Sequence, residues 1–251
     1  GGANNNIHAQ RVNAEGKFLW QESGILVCTT DSYHVSVTSD GVGGAIITWG
    51  TYGDFDLPHA QRIDVSGKLL WPEEGISLWK QRQYHQVVND GLGGAIFLEQ
   101  EHHPIPGDPR IRQVTLYAQR LDSEGKNLWQ DKPLFTTEKG QSWLQSAIAS
   151  DGSGGALIAW RTWKKESNLG GKVYAQKLDT EGNPLWQEGI AVFSEPDLKY
   201  QGTPQVVSDS SGGAIVAAAV GRNALRGDTV YLQRLDANGN RLWGGGIKFT
   251  L

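Results

Sequence analysis

One pattern of thirteen residues occurs five times in this chain, and it limits the fold more than any other feature. The segment His8-Ala-Gln-Arg-Val-Asn13-Ala-Glu-Gly16-Lys-Phe-Leu-Trp20 returns at 59–71, 117–129, 174–186 and 231–243. Its Gln falls at 10, 61, 119, 176 and 233, a step of 51 to 58 residues. A second element alternates with it: Asp40-Gly-Val-Gly-Gly-Ala-Ile-Ile-Thr-Trp49, then Asp90 to Glu99, Asp151 to Trp160 and Asp209 to Ala218. Self-similarity at such a period means that one supersecondary unit has been copied, and that each copy buries its apolar faces on its neighbours.

Each unit reads as four strands, a to d. Strand a precedes the Asp-Gly turn, as in Gln205 to Ser208, and strand b is the apolar run after Gly-Gly, as in Ala156 to Trp160. A strand that is apolar at every position suits a sheet covered on both faces. Strand c is the Tyr-Ala-Gln-Arg-Leu run, whose period of two puts Tyr, Gln and Leu on one face and Ala and Arg on the other. Strand d starts at Leu-Trp and continues into Gly-Ile, as in Gly189-Ile-Ala-Val-Phe193. The c–d link, Asp-x-x-Gly, predicts a tight turn closed by a left-handed Gly, and the a–b link, Asp-x-x-Gly-Gly, predicts the same turn with a glycine to spare. No stretch carries an apolar period of 3.6 residues, so the chain is predicted to be all-β.

Four antiparallel strands per unit, repeated with a Trp and Gly signature, predict a β-propeller, most simply one of five blades. A right-handed β-helix is the competitor, but its coils are shorter and lack paired hairpin turns. The 251 residues form a single domain in this reading, with units near 1–31, 32–81, 82–138, 139–196 and 197–251. Five c–d pairs face only four a–b pairs, so one blade is predicted to be irregular or split, with the irregularity in the first and last units. Gly1-Gly2-Ala3 has the look of a truncated strand b.

The alternation of Asp-Gly-x-Gly-Gly-Ala-Ile with Tyr-Ala-Gln-Arg-Leu-Asp-x-x-Gly-x-x-Leu-Trp resembles a repeat found in secreted bacterial β-propeller proteins, over essentially the whole chain. The resemblance implies a propeller and an exported location: secreted, periplasmic or at the cell surface. It implies no reaction. The absence of Met fits this, since Gly1 is then a processed terminus or a boundary.

Charge and cysteine content remove several functions. A net charge of −4 with both signs scattered argues against nucleic acid, whose binding draws on Lys and Arg against phosphate. No apolar run approaches the ~20 residues of a membrane helix, so the chain is not predicted to span a membrane. Cys28 is alone, which excludes an internal disulfide and a Cys-based zinc site, and its apolar flank predicts a buried thiol.

The repeated polar residues are expected to serve the fold. Asn13, Asp64, Asp122, Asp179 and Asp236 cap their own turns, and their loops offer too few oxygens for calcium. Arg11, Arg62, Arg120, Lys177 and Arg234 are read as a repeated salt bridge or stem packing, with a carboxylate-binding ring as the alternative. Trp20, Trp71, Trp129, Trp186 and Trp243 are read as packing between blades, with sugar stacking as the alternative. His34 and His85, each after a Tyr, suggest a packing role or a polar patch near the axis. No metal and no cofactor are expected.

Binding is therefore sought outside the consensus, in the insertions between strands b and c at 51–58, 101–112, 162–172 and 221–228. These are read as rim loops, with Tyr52, Asp54, Phe55, Glu101, His102, His103, Asp108, Trp163, Lys164, Lys165, Arg222 and Arg226 as candidate contacts. The expected function is a non-catalytic interaction or scaffold module, an accessory subunit docking to a protein partner or larger assembly. Two alternatives bind carbohydrate: a lectin, and a glycoside hydrolase. The hydrolase needs two carboxylates about 5–9 Å apart. Glu99, standing where other units have Trp, is one candidate without an evident second.

Overall fold

The computed structural model describes residues 6–29, 32–51, 58–78, 83–105, 108–129, 133–138, 144–162, 171–194, 200–221 and 229–250, and every regular element among them is a β-strand. β1 (Ile7–Ala9) and β2 (Ile25–Cys28) form a two-stranded sheet. The second sheet runs β3 (Ser32–Ser39), β4 (Ala45–Thr51), β5 (Pro58–Ile63), β6 (Ile76–Ser77) in spatial order. The third runs β7 (Gln83–Asn89), β8 (Ala95–Ile105), β9 (Asp108–Leu121), β10 (Pro133–Thr136). The fourth is β11 (Leu144–Ser150), β12 (Ala156–Thr162), β13 (Val173–Leu178), β14 (Ile190–Ala191). In the last, β15 (Tyr200–Gln201) and β16 (Gln205–Ser208) both pair with β17 (Ala214–Gly221), which β18 (Thr229–Leu235) and β19 (Ile247–Thr250) follow.

These sheets are the blades of a five-bladed β-propeller, each an antiparallel meander. The first strands of neighbouring blades touch in series, β3 on β7, β7 on β11 and β11 on β16, which places strand a innermost. The predicted irregularity falls at both ends. Among the described residues blade one has its c and d strands alone, and blade five splits its innermost strand in two.

Four apolar clusters fill the spaces between successive blades. Strand b explains why its sequence is apolar throughout: adjacent residues enter opposite clusters. Ile47 packs toward blade one and Ile46 toward blade three, and Phe97 and Ile96 repeat this division one blade on. Burying each such side chain contributes about 1.5–3 kcal/mol, so strand b adds to the cohesion between blades on both of its faces.

The turns behave as predicted, with one correction. Gly16, Gly67, Gly125, Gly182 and Gly239 close the c–d turns at positive φ. In the a–b turns the first glycine of the pair has positive φ, but the second does not. That second glycine is not spare. A Cβ on Gly44, Gly94, Gly155 or Gly213 would overlap the strand-c carbonyl of Ile63, Leu121, Leu178 or Leu235. Strand b starts in direct contact with strand c, and only glycine fits.

Candidate functional site

The residues that recur in every unit form the joints of the molecule. Strand-c Arg62 and Arg120 bond the buried carboxylates of Asp40 and Asp90 at 2.9 Å, and Arg234 bonds Asp209 at 2.8 Å. The salt-bridge reading holds in blades two, three and five, where the partner is the Asp that opens the a–b turn. The other carboxylate oxygen of Asp40 accepts the N–H groups of Val42 and Gly44, so one side chain holds both the turn and the cation. Burial of Asp40 works to raise its carboxyl, but the Val42 N–H, Arg62 and the Gly44 N–H outweigh it and leave it below the ordinary value. Asp209 is lowered in the same way: burial opposes, while Ser211, Arg234 and Gly213 prevail. This role could have been found in the sequence, because an Asp and a cation recur at fixed places in the same units.

Four of the five cations also reach the next blade, beside the Trp of their own blade. Arg62 and the Trp71 indole N–H both donate to the Ser123 carbonyl, at 3.0 and 3.2 Å. Arg120 and Trp129 share Thr180 at 3.2 and 2.8 Å, and Arg11 and Trp20 share Val65 at 3.2 and 3.1 Å. Trp186 donates to Ala237, while the shorter Lys177 bonds Gly212 instead. Every accepting residue but Gly212 follows the Asp of a c–d turn. Trp20, Trp71, Trp129 and Trp186 are inter-blade groups, as expected, and they lie on the turn glycine of the next blade: a Cβ on Gly182 would meet the Trp129 ring at 2.9 Å. The strand-c Gln completes the joint, since Gln61 accepts the Trp71 backbone N–H and donates to the Pro72 carbonyl.

The a–b and c–d turns share one rim, which leaves the b–c connections on the other. There the insertion at 101–112 departs from expectation. It is not a loop, because β8 and β9 continue as one antiparallel ladder out to the pairs His103↔Gln113 and Pro104↔Arg112. β9 has 14 residues and β8 has 11, against six to eight in the corresponding strands of the other four-stranded blades. Glu101 and His102 are half-buried on this ribbon, and His103 pairs with Glu101 at 3.7 Å. The base is tied down where Val114 N–H donates to the Thr137 hydroxyl at 2.9 Å and Gln113 donates to the Thr137 carbonyl at 2.6 Å. Asp108 opens β9, and its side chain lies outside the described residues, as do Tyr52, Asp54, Phe55, Trp163, Lys164, Lys165, Arg222 and Arg226.

Three further groups stand apart from the repeat. Glu99 is fully buried opposite Tyr117, in the place held by Trp49 and Trp160 in blades two and four. Those tryptophans press on Gly75 and Gly189, and in blade three Pro133 stands in the corresponding place. A cleft of about 600 Å³ opens between blades one and two beside Cys28, Glu73, Glu74 and Trp49, whose ring stacks on His59 at 5.8 Å. Cys28 is buried, as expected. His34 is exposed on innermost β3 at φ 50°, where the register with β4 shifts. The side chain of His85 lies outside the described residues.

No protein-family model matches the chain, and the search of curated proteins returns no match. Among solved structures the chain is similar to an ulvan lyase from a new polysaccharide lyase family. Their TM-score is 0.52 at 11% identity, over 90% of this chain and 57% of that one. The same kind of lyase bound to -[GlcA(1-4)Rha3S]- gives 0.50 at 10% identity over the same shares. The β-propeller domain of the Trilobed protease from Pyrococcus furiosus is similar over 98% of this chain and 84% of that one, with 14% identity and a TM-score of 0.44. This chain spans a little over half the length of the lyases. At identities this low the likeness is one of fold, and the chain is an all-β propeller.

Proposed function

We propose that the protein is an interaction module of an exported assembly, docking to a protein partner through the rim that carries the b–c connections. The observation behind this reading is the β8–β9 ribbon, which prolongs one blade past its neighbours and bears Glu101, His102 and His103. On the opposite rim the repeated cations and indoles of blades one to four are spent on joints between blades. A ribbon fixed at its base by Thr137 is a rigid element, so it docks with little loss of conformational freedom. The other connections on this rim supply the further contacts, with Tyr52, Asp54, Phe55, Asp108, Trp163, Lys164, Lys165, Arg222 and Arg226 among them.

The test replaces residues 101–112 by an Asn-Gly turn, which closes a hairpin without strain. Cross-linking with mass spectrometry in the source cells is expected to map a protein partner onto 101–112, and the shortened chain is expected to fold and lose it. A second reading, a polysaccharide-active enzyme, rests on Glu99, a buried carboxylate that breaks the repeat at a position otherwise held by Trp in blades two and four. Cleavage of a polysaccharide by the wild type, abolished by Glu99→Gln, would replace the first reading by the second.

A further inference from the structure

The space between blades one and two is built unlike its counterparts. Where blade four meets blade five, Phe193, just past β14, and Tyr231 of β18 face each other edge to face at 6.1 Å, and both are buried. Where blade three meets blade four, Phe135 lies 5.2 Å from Trp160, which stacks on Tyr174 at 5.9 Å. Aromatic rings thus fill the outer part of both spaces. Between blades one and two the corresponding places hold smaller side chains. Cys28 stands to Gly24 as Phe193 does to Gly189, and His59 opens its thirteen-residue pattern as Tyr231 does. The cleft of about 600 Å³ lies there, and a volume of that order is typical of ligand pockets. Its walls come from strand d of blade one and from blade two, and no residue of β1 lines it. Truncating a buried aromatic costs about 3–5 kcal/mol where the space stays empty, so two small residues at facing places give up packing that an occupant would restore.

The chemistry of the cleft is one-sided. Glu73 and Glu74 are exposed at its edge, on the turn closed by the Gly75 N–H on the Pro72 carbonyl, and among the described residues no Lys or Arg lines it. Trp49 forms its buried wall, with an indole N–H that bonds nothing among the described residues. The Trp160 indole N–H is unbonded too, but Phe135 lies against that ring, whereas Trp49 has the cleft beside it. Leu26 and Leu69 supply apolar surface. One end of the cleft is at Thr29 and Thr51, where β2 and β4 reach the rim of the b–c connections, and the other is at the Pro72–Gly75 turn.

We infer that this cleft takes an extended basic segment of a partner protein. An Arg or Lys side chain pairs with Glu73 and Glu74, its stem lies on the apolar wall, and a backbone carbonyl of the segment accepts the Trp49 N–H. A peptide brings the carbonyl and the cation together, which a simple amine does not. The cleft opens on the rim proposed for docking and, resting on that reading, this names where the partner is anchored.

Cys28 is the one cysteine of the chain and lines the cleft, so it reports on the site without any substitution. The full chain is treated with trimethylammonioethyl methanethiosulfonate, a cation, and with its anionic sulfonatoethyl counterpart, each rate referenced to free cysteine. The cation is expected to react at least about tenfold faster, as in a cleft lined by one sign of charge. Glu73→Gln/Glu74→Gln, two changes at exposed residues, should abolish that preference. Acetyl-Gly-Arg-Gly-amide at millimolar concentration is expected to protect Cys28 from uncharged methyl methanethiosulfonate, and the Gln analogue is not. Equal rates for the two charged reagents, or no protection by the Arg peptide, would overturn the inference and leave docking through the ribbon to stand alone. A Cys28 that reacts with none of the reagents would mean a closed cleft and overturn it as well. So would spermidine protecting as strongly as the Arg peptide, the cleft then being a site for free amines. Protection by the Arg peptide alone, with no partner mapped onto 101–112, would support the cleft and count against the ribbon.

Discussion

Asp90 and Arg120 show how a buried ion pair becomes structural. Asp90 is fully buried and accepts N–H bonds from Leu92 and Gly94 as well as the guanidinium, so each lone pair has a use. Arg120→Met leaves that carboxylate without its cation and is expected to cost about 3–5 kcal/mol in urea unfolding. Adding Asp90→Asn should recover most of the loss, because the amide oxygen still accepts both turn N–H groups. Two losses that simply add would show that the pair is not coupled. The same chemistry sets an acid limit. The carboxyls of Asp40 and Asp209 are lowered by folding, so their contribution is complete above the unfolded value near about 4 and is lost as pH falls through the folded value. The urea midpoint of the wild type should therefore fall more steeply between pH 5 and pH 2 than that of Asp40→Asn, two parallel curves counting against this cause.

At the scale of the element, the strands were legible because strand b is apolar at every position and strand c alternates. Both patterns reflect burial between blades, so they survive in the sequence whatever the loops do. The a–b hairpin was legible only in part, since a glycine kept for close approach looks the same as one kept for positive φ. The two are separable by substitution. Gly41 has φ 81° and open space around an added Cβ, so Gly41→Ala should cost about 1 kcal/mol. Gly94→Ala drives a methyl into the Leu121 carbonyl and Asp122 backbone and should cost several times more, read as the shift in thermal midpoint. Equal shifts would mean that turn conformation alone matters. The β8–β9 ribbon was hidden by Pro104, Pro106-Gly107 and Pro109, which read as loop. Among the described residues the ladder beyond Gln100 gives β8 only β9 as a neighbour, so alternate N–H groups face away from it and proline is tolerated. The side chains of a rim ribbon follow no packing rule, which is why Glu101, His102 and His103 could be named but not placed.

At the scale of the molecule, stability should follow the number of joints each blade makes. In a repeat architecture it is close to a sum of intrinsic terms and nearest-neighbour interfaces. Blades three and four have an apolar cluster on each side, whereas blade one has two strands and a single cluster shared with blade two. The difference is visible on blade two. Val37 is 66% exposed, while its repeat counterparts Ile148 and Val206 are buried at 9% and 6% against the preceding blade. Opening should therefore start at blade one and move inward, and hydrogen exchange by mass spectrometry reads that order directly. Amides of β1 and β2 should exchange first, those of β17 and β18 next, and those of β8 and β12 last, at a free energy approaching that of global unfolding. Uniform exchange at every blade would show one cooperative unit.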